Sequence, residues 1–207
     1  MADEAGSWER RRFLFVLAST REGGNSEALA RHAARSLPDA AARTWVRLRD
    51  LPMERFRDVR HDGAGEFPRP EGALADLWRA TREATDVVVV SPLYWYSLSS
   101  EAKLYLDHWS GWFRVPGATF RADMEGSTLW GVTAYHSPTP EHADPLVGAL
   151  RNTADFMRMR WGGVLLGKAV RPGDLGSDPT AAAEAATFFT RPLHTPPATA
   201  ALPAVRL

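Results

Sequence analysis

Residues 17–30 read LASTREGGNSEALA and follow the apolar run Phe13-Leu14-Phe15-Val16. Hydroxyls on Ser19, Thr20 and Ser26, the guanidinium of Arg21, the amide of Asn25 and two glycines therefore gather where a strand gives way to a helix. A helix N-terminus presents unpaired N–H groups and the positive end of its dipole, so an anion binds there readily. Ser19 and Ser26 can donate to phosphate oxygens, and Arg21 adds a charged fork. Gly23 and Gly24 permit close backbone approach. Capping of the helix by Asn25 or Ser26 accounts for the second half of the stretch. It leaves Ser19, Thr20 and Arg21 unexplained, and those point to a phosphate.

Three other motifs fail. A P-loop needs G-x-x-x-x-G-K-[ST], and this loop has no lysine; the dinucleotide fingerprint G-x-G-x-x-G is absent. Gly24-Asn25-Ser26-Glu27-Ala28 loosely matches a nucleophile elbow, but it follows the first strand rather than a central strand of a hydrolase sheet.

A second loop, Ser91-Pro92-Leu93-Tyr94-Trp95-Tyr96-Ser97-Leu98-Ser99-Ser100, puts three consecutive aromatics at the end of the most apolar strand. Beside a phosphate site they read as a wall for a flat ring, with main-chain N–H groups for ring heteroatoms; the alternative is an aromatic plug on the sheet or on a partner. Ser99 or Ser100 is placed to cap the next helix, and Lys103 and Asp107 lie four apart on it as a structural pair. A third loop, Thr133-Ala134-Tyr135-His136-Ser137-Pro138-Thr139-Pro140, offers Tyr135 and His136. His136 and His142 lie near Glu141 and Asp144, but that spacing matches no metal motif.

Strands and helices alternate around these loops. Arg12–Ser19, Arg43–Leu48, Asp86–Ser91, Thr128–Tyr135 and Gly163–Ala169 read as strands, and the unbroken Val87–Val90 run marks a central parallel strand. Helices are expected over Glu27–Leu37, around Leu74, Leu77, Trp78 and Thr81, through Ala102, Tyr105, Leu106 and Trp109, over Pro145–Arg160 with Leu146, Ala149, Leu150 and Thr153 inward, and over Thr180–Phe189. Residues 49–70 read as a long Pro-, Gly- and charge-rich loop, of the kind used as a lid or subunit contact. The pattern predicts a three-layer α/β/α sandwich with a five-stranded parallel sheet of order 2-1-3-4-5, flavodoxin-like, whose ligand sits beyond the C-terminal strand ends. One domain is expected over 1–190, with a Pro/Ala-rich tail at 191–207.

The 207 residues are 44% hydrophobic and 24% charged, within the ordinary range of a globular protein. The 25 basic and 25 acidic side chains cancel, which argues against a nucleic-acid or acidic-membrane surface. No apolar stretch approaches the roughly 20 residues of a membrane helix, and the polar N-terminus lacks a signal-peptide core, so a cytoplasmic protein is expected. Cysteine is absent, which removes disulfides, thiolate nucleophiles and Cys-held clusters. Redox chemistry then needs a non-covalent cofactor. Among eight tryptophans, Trp95, Trp109 and Trp112 fall close together, as core, dimer face or pocket wall.

S-T-R-x-G-G-N-S after the first strand, paired with S-P-L-Y-W-Y-S-x-S-x-x-x-K-x-Y-L-D-H-W after the third, resembles the flavodoxin-like NAD(P)H-dependent FMN reductase/quinone reductase family over roughly residues 12 to 170. Ala18 stands where relatives carry glycine, and Thr20 where proline is common; neither removes a phosphate donor. Iron–sulfur relatives add cysteines after the second strand, so that branch is excluded. The resemblance implies that Ser19, Arg21, Asn25 and Ser26 hold the FMN phosphate. Pro92, Leu93, Tyr94, Trp95, Tyr96 and Ser97 line the isoalloxazine, with Thr133, Tyr135 and His136 on its other flank. It implies hydride transfer from NAD(P)H as co-substrate to the flavin and on to a small acceptor such as a quinone, a flavin, or a nitro- or azo-aromatic. Tyr94, Trp95, Tyr135 and His136 are then the side chains nearest the chemistry, with no metal. It also implies a homodimer or homotetramer, for which residues 105–113 and 49–70 are the expected contacts. A flavodoxin-type electron carrier is the alternative; such carriers are strongly acidic and this chain is neutral.

Overall fold

The computed structural model describes residues 7–171, 173–174 and 178–193. Within them, β1 (Arg12–Leu17), α1 (Asn25–Ala34), β2 (Ala42–Arg47), α2 (Gly72–Glu83), β3 (Asp86–Val90), α3 (Ser100–Trp112), the short α4 (Phe120–Met124), β4 (Thr128–Tyr135), α5 (Asp144–Met157), β5 (Arg160–Lys168) and α6 (Pro179–Ala185) follow in order. The strands form one five-stranded sheet, β2-β1-β3-β4-β5, with every pair parallel. This is the expected flavodoxin-like order. Most of the tail expected at 191–207 lies outside the described residues.

Side-chain alternation along the strands divides the core. Leu14, Val16, Val87, Val89 and Leu129 face α2, α3 and α5, while Phe13, Phe15, Leu17, Val88, Val90, Trp130 and Val132 face α1 and α6. Each large apolar side chain so enclosed contributes about 1.5–3 kcal/mol. Trp109 and Trp112 belong to the first core, edge-on to Tyr105 and Phe120, and Trp112 also lines a cleft with Phe56, Phe67 and His108 beside the 49–70 loop. At the N-terminal sheet edge, buried Asp86 accepts from Trp130 Nε1 at 2.9 Å and from Arg11 Nε at 3.0 Å. This anchor lies far from the loops of interest.

Some boundaries differ from expectation. The helix expected to reach Arg160 stops at Met157, because Arg158 turns left-handed at φ 56° and releases the chain into β5 at Arg160. Its inward stripe is Leu146, Leu150, Ala154 and Met157, with Ala149 exposed, since a regular helix brings positions four apart onto one face. A register shift on β5 opposite Leu129/Trp130 follows from bulk. A Cβ at Gly162 would lie 2.2 Å from Trp130 Cδ2, so only glycine admits the indole there. The final helix ends at Ala185 rather than Phe189, and Phe188 and Phe189 turn in to cover Trp130. Helix α4 was not anticipated. Among the described residues, no helix is long and apolar enough to cross a membrane.

Candidate functional site

The parallel sheet brings the three loops after β1, β3 and β4 to one edge. Ala18 N–H still pairs with Val90 O at 2.8 Å, and beyond it the chain leaves the sheet. Gly23, at φ +61°, makes a turn that a side chain would strain. Gly24 is then the N-cap of α1, with no side-chain cap. This corrects the expectation that Asn25 or Ser26 caps the helix. The first intrahelical bond is Ala28 N–H to Gly24 O, so the N–H groups of Asn25, Ser26 and Glu27 have no partner among the described residues. Ser19 Oγ accepts from Arg21 N–H at 3.1 Å and holds the loop's shape. The Arg21 side chain is exposed and has no carboxylate partner among the described residues.

The side chains of Asn25 and Ser26 are engaged elsewhere. Asn25 donates to Arg171 O at 2.9 Å and accepts from Gly173 N–H at 3.2 Å, tying the loop after β1 to that after β5. Ser26, buried at 3%, donates to Ser91 O at 3.3 Å and accepts from Ala134 N–H at 2.9 Å. What these two positions offer an anion is main-chain N–H, with their side chains acting as braces.

Glu27, a carboxylate in the first turn, could repel an anion. Its charge is balanced by Arg31 at 2.8 Å and Arg47 at 2.7 Å. Burial works to raise its pKa, but the hydrogen bonds and charges of Arg31 and Arg47 prevail and hold it below the usual carboxylate range. Arg49, on the 3-10 turn just after β2, donates to Thr20 O at 3.4 Å and to Glu22 at 3.2 Å. These arginines were missed in the sequence; for Arg47 and Arg49 the alternating RTWVRLR at residues 43–49 was the signal.

The loop after β3 is fixed by two further serines. Ser91 Oγ accepts from Ser99 N–H at 2.9 Å, and Ser99 Oγ donates to Ala18 O at 2.6 Å while capping α3 through Ala102 N–H. Between them Tyr94 and Ser97 exchange backbone hydrogen bonds at 3.1 and 3.0 Å, closing a tight turn. Trp95 (φ 49°) and Tyr96 (φ 65°) both adopt the left-handed region at its centre. Consecutive positive φ values define a turn that normally selects Asn-Gly, so two aromatic residues there store strain. The N–H groups of Trp95 and Tyr96 have no partner among the described residues. Tyr94 and Tyr96 are about half exposed, and Trp95 is 94% exposed. Pro92 and Leu93 form the base of the turn, where Leu93 N–H reaches Ala134 O at 3.4 Å.

Leu93, Trp95, Tyr96, His136, Ser137, Pro138 and His142 line a cleft of about 360 Å³ between the second and third loops. Tyr135 lies elsewhere. Alternation along β4 puts Thr133 and Tyr135 on the α5 face, opposite α1. Thr133 is enclosed, its Oγ1 without a partner among the described residues. Tyr135 lines a separate cleft with Lys168, Asp178 and Glu184. Burial, then the charges of Asp178, Glu141 and Glu184, pushes its hydroxyl above the ordinary tyrosine value. The structure thus brings together Ser19, Arg21, Asn25, Ser26, Pro92–Ser97 and His136, and separates Thr133 and Tyr135 from them. Among the described residues, no group of three or more His, Asp or Glu is arranged to hold a metal.

An uncapped helix N-terminus with a free arginine, beside a strained aromatic turn with two unpartnered N–H groups, suits a phosphate joined to a flat heteroaromatic ring. FMN has those parts, and the residues present fit it.

Comparison with known proteins agrees. A family model described as NADPH-dependent FMN reductase matches residues 11–160. YwqN of Bacillus subtilis (strain 168), named as an NAD(P)H-dependent FMN-containing oxidoreductase, is 27% identical over 177 residues, covering 85% of this chain and 95% of its own. Among solved structures, the Trp repressor binding protein from Bacillus subtilis superposes with a TM-score of 0.66 at 22% identity, covering 87% of this chain and 99% of that one. An FMN-dependent NADH-azoreductase from Bacillus anthracis, in complex with FMN, gives 0.59 at 13% identity, covering 85% and 96%. At these identities the structures speak for the fold alone.

Proposed function

The chain belongs to the NADPH-dependent FMN reductase family, and from that premise we propose that it passes reducing equivalents from NAD(P)H to a small flat acceptor, a quinone, a flavin, or a nitro- or azo-aromatic, in the cleft between the second and third loops. It is an FMN-dependent NAD(P)H oxidoreductase. FMN supplies the hydride-accepting and hydride-donating chemistry that no side chain of this protein has.

The protein's part is binding, orientation and electrostatics. Arg21, Ser19 and the free N–H groups of Asn25, Ser26 and Glu27 bind the phosphate, and the salt-bridged Glu27 leaves the local charge favourable. The N–H groups of Trp95 and Tyr96 hold ring heteroatoms, with Pro92 and Leu93 at the base and Tyr94 and Ser97 closing the turn. The exposed Trp95 indole offers a face for an incoming flat molecule. His136, on the cleft wall, can hold a proton for the reduced acceptor; Tyr135 lines the neighbouring cleft with Lys168 and Asp178 instead. A second copy of the chain would meet the 49–70 loop, where Phe56 and Phe67 stack with centroids 5.7 Å apart beside His108 on α3.

The carrying observation is the juxtaposition of the uncapped α1 N-terminus with the Tyr94–Ser97 turn. The test is anaerobic titration of the yellow holoprotein with NADH and NADPH, followed by a panel of acceptors. Bleaching of the flavin bands and re-oxidation by flat acceptors supports the reading. Failure of both nucleotides to bleach would leave an electron carrier.

A further inference from the structure

Trp95 and Tyr96 both hold positive φ, a conformation that persists only where the surroundings over-determine it. Two backbone hydrogen bonds close the turn, and Trp95, almost wholly exposed, adds little. Tyr96 is different. Its ring stands edge-on to the imidazole of His142, with centroids 5.4 Å apart and planes at 81°. His142 belongs to the opposite loop, on the 3-10 turn Pro140–Ala143 that buried Ala143 pins to the core. Ser137 hydrogen-bonds to its Nδ1. Whichever atom donates, that bond fixes the ring's rotation. One wall of the cleft is thus held by a contact from the other.

We propose that His142, braced by Ser137, is a positioning residue that holds Tyr96 and so sets the cleft for flat aromatic acceptors over compact ones. The selectivity rests on the reading of the cleft given above; the holding contact does not. A planar acceptor binds by stacking against aromatic walls, so its affinity depends on where Tyr96 stands. A compact inorganic oxidant takes electrons without stacking and depends on it less.

In the cofactor-free protein, amide hydrogen exchange at Tyr94 and Ser97 reports closure of the turn. His142→Ala is expected to speed it by about three- to tenfold, the Boltzmann factor of one edge-on aromatic pair. Ser137→Ala gives a smaller increase, and His142→Phe, which keeps an aromatic edge, restores slow exchange. In the FMN-loaded enzyme at saturating nucleotide, His142→Ala is expected to raise KM for 1,4-naphthoquinone by about three- to tenfold on the same ground, and to lower kcat/KM for ferricyanide by less than for naphthoquinone. Unaltered exchange in His142→Ala, or equal losses for naphthoquinone and ferricyanide, overturns the proposal. A wild-type protein that retains no FMN overturns the reading of the cleft instead, and the exchange data still decide whether His142 holds the turn.

Discussion

Ser26 and Ala134 stand 108 residues apart, yet the Ala134 amide donates to the Ser26 hydroxyl at 2.9 Å. The same hydroxyl donates to Ser91 O, so one buried oxygen at the end of the first loop fastens it to the starts of the other two. Ser91 and Ser99 extend the link to α3 and to Ala18.

Ser26→Ala removes both bonds and leaves the partly buried Ala134 N–H unpaired. We expect a loss of about 1–3 kcal/mol in stability, read as a lower urea midpoint with unchanged slope, together with weaker FMN retention. A variant as stable as wild type would show that the loops do not depend on this oxygen.

Arg21→Ala should act differently. The side chain is exposed and has no carboxylate partner among the described residues, so thermal stability of the cofactor-free protein should hold. FMN affinity should fall by about tenfold or more, as for loss of a charge-assisted contact to phosphate. Fluorescence titration of FMN checks this, and an unaltered Kd would remove Arg21 from the phosphate site.

Trp95→Gly should raise stability while harming turnover. Glycine accepts the positive φ freely and the indole packs on little, so relief of about 1 kcal/mol is expected in the cofactor-free protein. Quinone turnover should drop as the stacking face goes. Differential scanning calorimetry and steady-state rates measure the two sides, and a destabilised variant would mean the turn is not strained.

Glu27 contributes a pH dependence of known sign. Its folded pKa lies below that of an unfolded carboxyl, about 4.3. The stabilisation is therefore fully present above about pH 5 and is lost as pH falls through the folded value. Glu27→Gln should cost about 1–2 kcal/mol near neutral pH, at the lower end for a charged hydrogen bond because both arginines keep some contact with water. The gap to wild type should narrow in acid. Urea unfolding at several pH values tests this, and a gap independent of pH would show that the ion pairs add no stability.

Gly111→Ala should disturb the long 49–70 loop. A Cβ there would lie 2.7 Å from Phe67 Cδ1, so the Phe67 ring must move. A loss of about 1–3 kcal/mol is expected, as for an overpacked site, with faster proteolysis within residues 49–70. Unchanged proteolysis would mean the loop does not rely on Phe67.

The local chemistry of the site was open to reading along the chain because it is contiguous. Residues 19–26 and 91–100 each carry their hydroxyls, arginine or aromatics within one loop, and the valine run of β3 announces a strand buried on both faces. Alternation and helical spacing then give the sheet order, because parallel crossovers leave few arrangements open. What sequence alone could not decide was which way each polar side chain turns. Ser26 and Asn25 read as phosphate donors, but they brace neighbouring loops, because their partners lie 65 to 148 residues away. Tyr135 and His136 are neighbours in the chain, but β4 ends between them and their side chains line different clefts. Composition and spacing thus determine the elements and the ligand class, since both depend on short-range periodicity and residue type. The hydrogen bonds that choose among equally polar side chains, and the contact between Tyr96 and His142, depend on long-range closure of the sheet and exist only once the chain has folded.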